Sequence, residues 1–342
     1  MITIKDIADK LGVSPSTVTR ALADNPRIGK ETRRRIQHAA LKMGYVANAA
    51  AKSVRGKQST LIGLLIPDIE NSFYARIAKA FSDVCNQHRF QLALAVSDDD
   101  PEIEERHIRE LVEARCAGVA IVPSPGLSIQ SARWLSSTNT AQLIRRSERL
   151  TTDWYGINDI DALKHATGCL LDLGHRRIGL ICGEDSLNSG HDRHRGYLAA
   201  LEARSMPPDP ELIRRGPPRA AFARQAAHAL LQLDPPVTAL LAAGAGLSEG
   251  MLNAMAQQFD GKDYSVSLIG YSDSNAFRWW GNTGLSVVDL PVSEIAGDLC
   301  LNLIQRATSQ ESEDLDPQSL LYESRLILRG SVHPSADRTV AS

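Results

Sequence analysis

Along residues 1–46 the apolar positions recur at helical spacing in three short blocks. Ile4, Ile7, Ala8 and Leu11 fall at i, i+3, i+4 and i+7, one stripe of a helix. Thr3, with Asp6 three residues on, has the form of a capping box, and Gly12 supplies the stop. Ser14-Pro15 opens a second helix, with Val18, Ala21 and Leu22 inward and Ser16, Thr17 and Arg20 on the other face. Asn25-Pro26 breaks it, and a third helix is predicted from about Lys30 to Met43, ended by Gly44. Two short helices across a tight glycine turn, followed by a third, follow the helix-turn-helix plan. A three-helix module that binds protein has the same pattern.

From Leu61 onward the pattern changes. Apolar strands (61–66, 92–96, 119–122, 178–182, 238–242, 266–270) alternate with amphipathic stretches such as FYARIAKAFSDVCNQH and PEIEERHIRELVEARC. This alternation predicts parallel sheets covered on both faces. The strands are too many for one small sheet, so two lobes are expected, with ligands beyond the carboxyl ends of the strands. Between head and core, residues 47–58 (ANAAAKSVRGKQ) favour helix but are too short to hold one alone. They suit either a plain linker or a segment that folds on docking.

Charge sharpens the division. The net charge is -2, but residues 1–60 carry twelve Lys and Arg against four Asp and Glu, leaving +8 there and -10 on the rest. A basic head on an acidic body fits a polyanion partner for the head; a solvated basic face is the alternative. No apolar run approaches the length of a membrane span and the N-terminus lacks a signal-peptide pattern. Five widely spaced cysteines without a CxxC pair fit reduced thiols, so a cytoplasmic location is expected. No nucleophile elbow, phosphate-binding loop, HExxH or dinucleotide fingerprint occurs. His191 and His194 stand three apart with no third ligand of obvious spacing, so neither metal nor cofactor is expected.

TIKDIADKLGVSPSTVTRAL and ETRRRIQHAALKMGYVAN together resemble the DNA-binding head of LacI/GalR transcription regulators, and the resemblance continues along the core. It implies an all-α helix-turn-helix head (1–46), a hinge (47–60) and a periplasmic-binding-protein-like core. Lobe 1 would comprise 61–157 and 290–319, lobe 2 158–289 and 320–334, and 335–342 a tail. Crossovers are expected near 157–161, 286–290 and 318–322. By the same resemblance Pro15, Ser16 and Arg20 take base-reading positions, and Thr3, Ser14, Thr17, Thr19, Asn25 and Tyr45 sit where phosphates are contacted. Asn48, Val54 and Arg55 belong to the hinge helix, with Val54 as the minor-groove wedge. The implied protein is a homodimer on a palindromic operator in double-stranded DNA, a repressor gated by a small molecule.

For the effector, Phe73 and Tyr74 are placed to stack on a ring or to pack lobe 1, and Arg145 and Arg146 follow a strand, where solvation is the competing role. Arg193 completes the Asp-Arg pair that contacts effectors in the family, and Ser272 and Asp273 stand where relatives carry two aspartates. Gly244-Ala245 replaces Asn-Asp and Pro218 an aromatic. These losses predict a less acidic pocket and an anionic effector, such as a sugar acid or sugar phosphate, unless the site has decayed.

Overall fold

A computed structural model describes residues 2–45, 59–259, 265–309 and 316–335. It divides into two compact units, Met1–Ser59 and Thr60–Ser342.

In the first unit, α1 (Ile4–Leu11), α2 (Pro15–Leu22) and α3 (Lys30–Lys42) enclose Ile7, Ala8, Val18, Ala21, Ile36 and Ala40. The capping box at Thr3 is complete. Thr3 N donates to Asp6 Oδ2 at 2.7 Å and Asp6 N to Thr3 Oγ1 at 3.3 Å, which satisfies two otherwise orphaned N–H groups. Gly12 closes α1 at φ 64°, the left-handed conformation that its lack of a Cβ permits. Ser14 caps α2 through Thr17 N at 3.1 Å. The third helix ends one residue earlier than expected, with Met43 as its cap.

The second unit holds two six-stranded sheets. The first has the order β11-β5-β4-β3-β1-β2. Its strands are β1 (Leu61–Ile66), β2 (Gln91–Val96), β3 (Gly118–Ile121), β4 (Thr140–Leu143), β5 (Asp153–Ile157) and β11 (Ser319–Tyr322). The second, β12-β10-β9-β8-β6-β7, is built from β6 (Ile178–Gly183), β7 (Ile213–Gly216), β8 (Ala239–Ala242), β9 (Ser267–Tyr271), β10 (Ser286–Asp289) and β12 (Arg325–Ile327). All pairings are parallel except that of β12 with β10, an antiparallel edge that the alternation did not predict. The helices between strands are α4 (Ser72–Gln87), α5 (Pro101–Glu113), α6 (Ile129–Ser136), α7 (Asp159–Asp172), α8 (Asn188–Glu202), α9 (Ala220–Leu231), α10 (Ala245–Phe259), α11 (Asn275–Trp279) and α12 (Val292–Thr308). Strands such as β6, buried at every position, read as continuous apolar runs because helices cover both sheet faces.

The chain passes between lobes three times, after β5, after β10 and after β11. The last passage lies at the end of the expected 318–322 window, and the lobe boundary expected at 320 falls inside β11. Leu320 and Leu321 register with Tyr155 and Gly156, so β11 extends the first sheet and lobe 2 resumes beyond Tyr322, not at residue 320. In lobe 1, Ile77 and Phe81 of α4 share a core with Leu299 and Leu303 of α12.

One buried polar group gives the core a pH dependence. His175 is fully buried, its Nε2–H donating to His333 O and its Nδ1 accepting from Thr238 Oγ1, both at 3.0 Å. Burial lowers its pKa below the usual 6.5. The unfolded chain therefore binds a proton that the folded chain refuses, and stability is full above about pH 6.5 and falls as pH drops toward the folded value. Melting curves from pH 8 to 5 are expected to show this decline, and His175→Gln is expected to flatten it.

Candidate functional site

The head presents the outer face of α2. Pro15, Ser16 and Arg20 are exposed, with Thr17 and Thr19 half-buried beside them. Ser14 Oγ lies 2.8 Å from both Ser16 Oγ and Thr17 Oγ1, so one hydroxyl cluster marks the start of the helix. Arg20 has no ion pair among the described residues. Asn25 Oδ1 accepts from Arg27 N at 2.9 Å, holding the turn that follows, and Thr3 is engaged in its cap. Arg33 and Gln37 of α3 both reach Asp24, bracing α3 against the end of α2. Tyr45 is half-buried against the head's core. Asn48, Val54 and Arg55, the expected hinge contacts, lie outside the described residues.

The core has a cavity of about 370 Å³ between its lobes, at the carboxyl ends of the strands. Phe73, Tyr74, Arg145, Arg193 and Ser272 all line it. Arg146 and Asp273 do not. Arg146 turns outward, its guanidinium 4.7 Å from the Trp154 ring. Asp273 is drawn away by Arg329, whose Nη1 and Nη2 bind its two carboxylate oxygens at 2.9 and 2.8 Å, and by Arg278 Nε at 2.9 Å. Burial alone pushes the Asp273 carboxyl up, but these bonds outweigh it and hold it below the usual range. Its neighbour Ser272 adopts φ 65°, which carries the serine into the cleft.

The arginines that predicted an anionic ligand are already neutralised. Arg145 makes a two-pronged pair with Asp99, both partners being largely buried. Arg193 donates through Nε to buried Asp159 and through Nη1 to Ala243 O, each at 3.0 Å. Its guanidinium lies 4.2 Å from the centre of the Tyr271 ring, and Tyr271 Oη also donates to Asp159. Burial disfavours the charge on Arg193, yet Asp159 outweighs it and the group stays firmly protonated. The lining is also rich in carboxylates. Asp68, Glu70, Asp98, Asp99 and Glu249 line the cavity, against Arg145, Arg193 and Arg219. Asp68 and Asp98 lie just beyond β1 and β2, where strand ends point to a ligand; Glu249 carries no such signal in the sequence.

The cavity also holds neutral donors. Tyr74, Ser189 and Ser272 are buried, line the cavity, and have no side-chain hydrogen bond within the described protein. Burial pushes the Tyr74 phenol up, which keeps it protonated as a donor. Bonds that join the lobes include Arg76 Nη1 to Asp273 O at 2.6 Å, Arg219 Nη2 to Asp98 O at 2.5 Å, Arg146 N to Asn188 Oδ1 at 3.0 Å and Ser72 Oγ to Glu249 Oε1 at 3.4 Å. Among the described residues no three His, Cys, Asp or Glu gather as a metal site, and no helix is long and apolar enough to cross a membrane.

A helix-turn-helix head followed by a two-lobed parallel core with a polar cleft defines the class of ligand-responsive DNA-binding regulators. The chain belongs to the LacI family: residues 3–48 match the model for bacterial regulatory proteins of the lacI family, and residues 59–312 match that for periplasmic binding proteins and the sugar-binding domain of LacI family members. It is thus a DNA-binding transcriptional regulator with a ligand-binding core, not an enzyme. Similar proteins include the transcriptional repressor PurR of Actinobacillus pleuropneumoniae, 25% identical over 341 residues, covering 97% of this chain and 98% of PurR. The repressor CytR of Escherichia coli is 26% identical over 332 residues, covering 96% of each chain. The fold matches that of the lac repressor dimer bound to operator and an anti-inducer at a TM-score of 0.81, with 20% identity, over 97% of this chain and 99% of that one.

Proposed function

We propose that the chain is a repressor that binds a palindromic operator as a homodimer and is gated by a small ring compound in the core cleft. The observation that carries this reading is a set of hydroxyls, those of Tyr74, Ser189 and Ser272, on buried residues that open onto the cavity without a side-chain hydrogen bond among the described residues. Water in the cavity can bond to them in the free chain, and a ligand that displaces it must offer equivalent hydrogen bonds. The lobes supply the movement: bonds such as Arg76 to Asp273 O form or break with their separation, so a ligand spanning the cleft shifts that equilibrium. The DNA-facing part rests on Ser16 and Arg20 of α2 reading base edges while the basic surface neutralises phosphates. A sugar acid or sugar phosphate is not retained as the effector, because Arg145 and Arg193 are held by Asp99 and Asp159. Hydroxyl- and amine-bearing rings fit the lining instead.

The test is binding of the purified chain to its upstream DNA across a salt series, with and without sugars, nucleosides and amino sugars. Tight, salt-sensitive binding that one compound class changes is the expected result. Specific binding that no compound alters would remove the effector, and absence of specific binding would remove the regulator reading itself.

A further inference from the structure

We propose that the effector carries a protonated amine, seated between Asp68 of lobe 1 and Glu249 of lobe 2, on a ring resting against Phe73 and Tyr74. This rests on the cleft being an effector site, as above. Asp68 follows β1 and Glu249 lies in the first turns of α10, so the two line one cavity from opposite lobes. Ser72 Oγ, at the start of α4, donates to Glu249 Oε1 at 3.4 Å, which brings the Asp68 loop close to that carboxylate. Asp68 Oδ1 accepts from Glu70 N at 2.8 Å and Asn71 N at 3.4 Å, which orients the carboxylate without neutralising it.

No lysine or arginine pairs with either carboxylate among the described residues. The three cavity arginines are engaged elsewhere: Arg145 with Asp99, Arg193 with Asp159, and Arg219 at Asp98 O. Burial raises the pKa of Glu249, the Ser72 hydrogen bond lowers it in part, and the nearby charge of Asp68 adds to the rise. The carboxylates do not stand alone as evidence of a site. Tyr74 (7% exposed), Ser189 (6%) and Ser272 (2%) present unpartnered hydroxyls to the same cavity.

Closing the lobes over an uncharged ligand leaves two like charges desolvated and facing each other, which opposes closure. An ammonium between them removes the repulsion and offers three donors to two acceptors. A neutral polyol satisfies the hydrogen bonds but not the charge, and an anion adds to the repulsion. Charge therefore selects the amine, while the hydroxyls and aromatic edge select the ring that bears it.

Glucosamine, galactosamine and mannosamine, their N-acetyl forms and the parent hexoses are titrated into the full-length chain by calorimetry. The expected result is that at least one amine binds tenfold or more tighter than its N-acetyl and hydroxyl counterparts. Glu249→Gln and, separately, Asp68→Asn should each erase most of that preference, with unliganded melting curves checking the fold. Equal or tighter binding of the neutral counterparts, a preference untouched by both substitutions, or no response to any amine would overturn the proposal. Neutral sugars that bind and alter operator affinity would overturn the amine while leaving the gated repressor intact. Loss of all ligand effects on operator binding would instead overturn the gating itself.

Discussion

Replacing Arg193 by methionine is expected to lower the unfolding free energy by about 3–5 kcal/mol and to abolish the effector response. The size of the effect comes from Asp159. That carboxylate is 5% exposed and the Arg193 side chain 12%, so water cannot replace the lost partner. Methionine keeps most of the side chain's volume but leaves Asp159, among the described residues, with the Tyr271 hydroxyl as its remaining side-chain partner, so the carboxylate must take up a proton or stay uncompensated. It also removes the guanidinium from the Tyr271 ring, a contact worth about 0.5–2 kcal/mol. The double variant Arg193→Met with Asp159→Asn removes both charges and should recover most of the stability in urea titrations, though not the ligand response. If the single variant loses less than about 1 kcal/mol, the pair is not the strut that its burial implies.

Replacing Arg20 by alanine should weaken binding to the specific operator by about 1–3 kcal/mol, roughly 5- to 150-fold, without lowering the head's stability. The side chain is exposed and makes no ion pair among the described residues, so the fold does not depend on it. A bidentate contact to a guanine edge accounts for a loss of that size, and anisotropy titrations against operator and scrambled duplex separate two roles. Loss confined to the operator places Arg20 on a base. Equal loss on both duplexes places it on a phosphate.

The head was legible because its signals are local. Thr3 with Asp6, Gly12, and Ser14-Pro15 each act on a group no more than four residues away, and the structure uses each as the sequence implies. Strands β1, β3, β6, β8 and β9 were legible for a different reason, since buried parallel strands read as apolar runs. β7 was not, because the edge strand IRRG is only partly buried and two of its four residues are arginines. The charge of the cleft was misread because its decisive contacts are distant in sequence. Asp99 lies 46 residues from Arg145, and Asp159 lies 34 from Arg193. An arginine's chemistry depends on which carboxylate folds against it, and no periodicity records that. The Asp273–Arg329 pair, 56 residues apart, is hidden for the same reason.

The three passages between lobes also set an order of assembly on the ribosome. The N-terminal five strands of lobe 1 emerge first, but α12, which shares their core through Leu299 and Leu303, is translated only after all of lobe 2 except β12. The nascent first lobe must therefore wait with its α4 face uncovered while more than a hundred further residues are made. During that interval the part of the core that Ile77 and Phe81 share with α12 lacks its cover, an apolar surface that the finished protein hides.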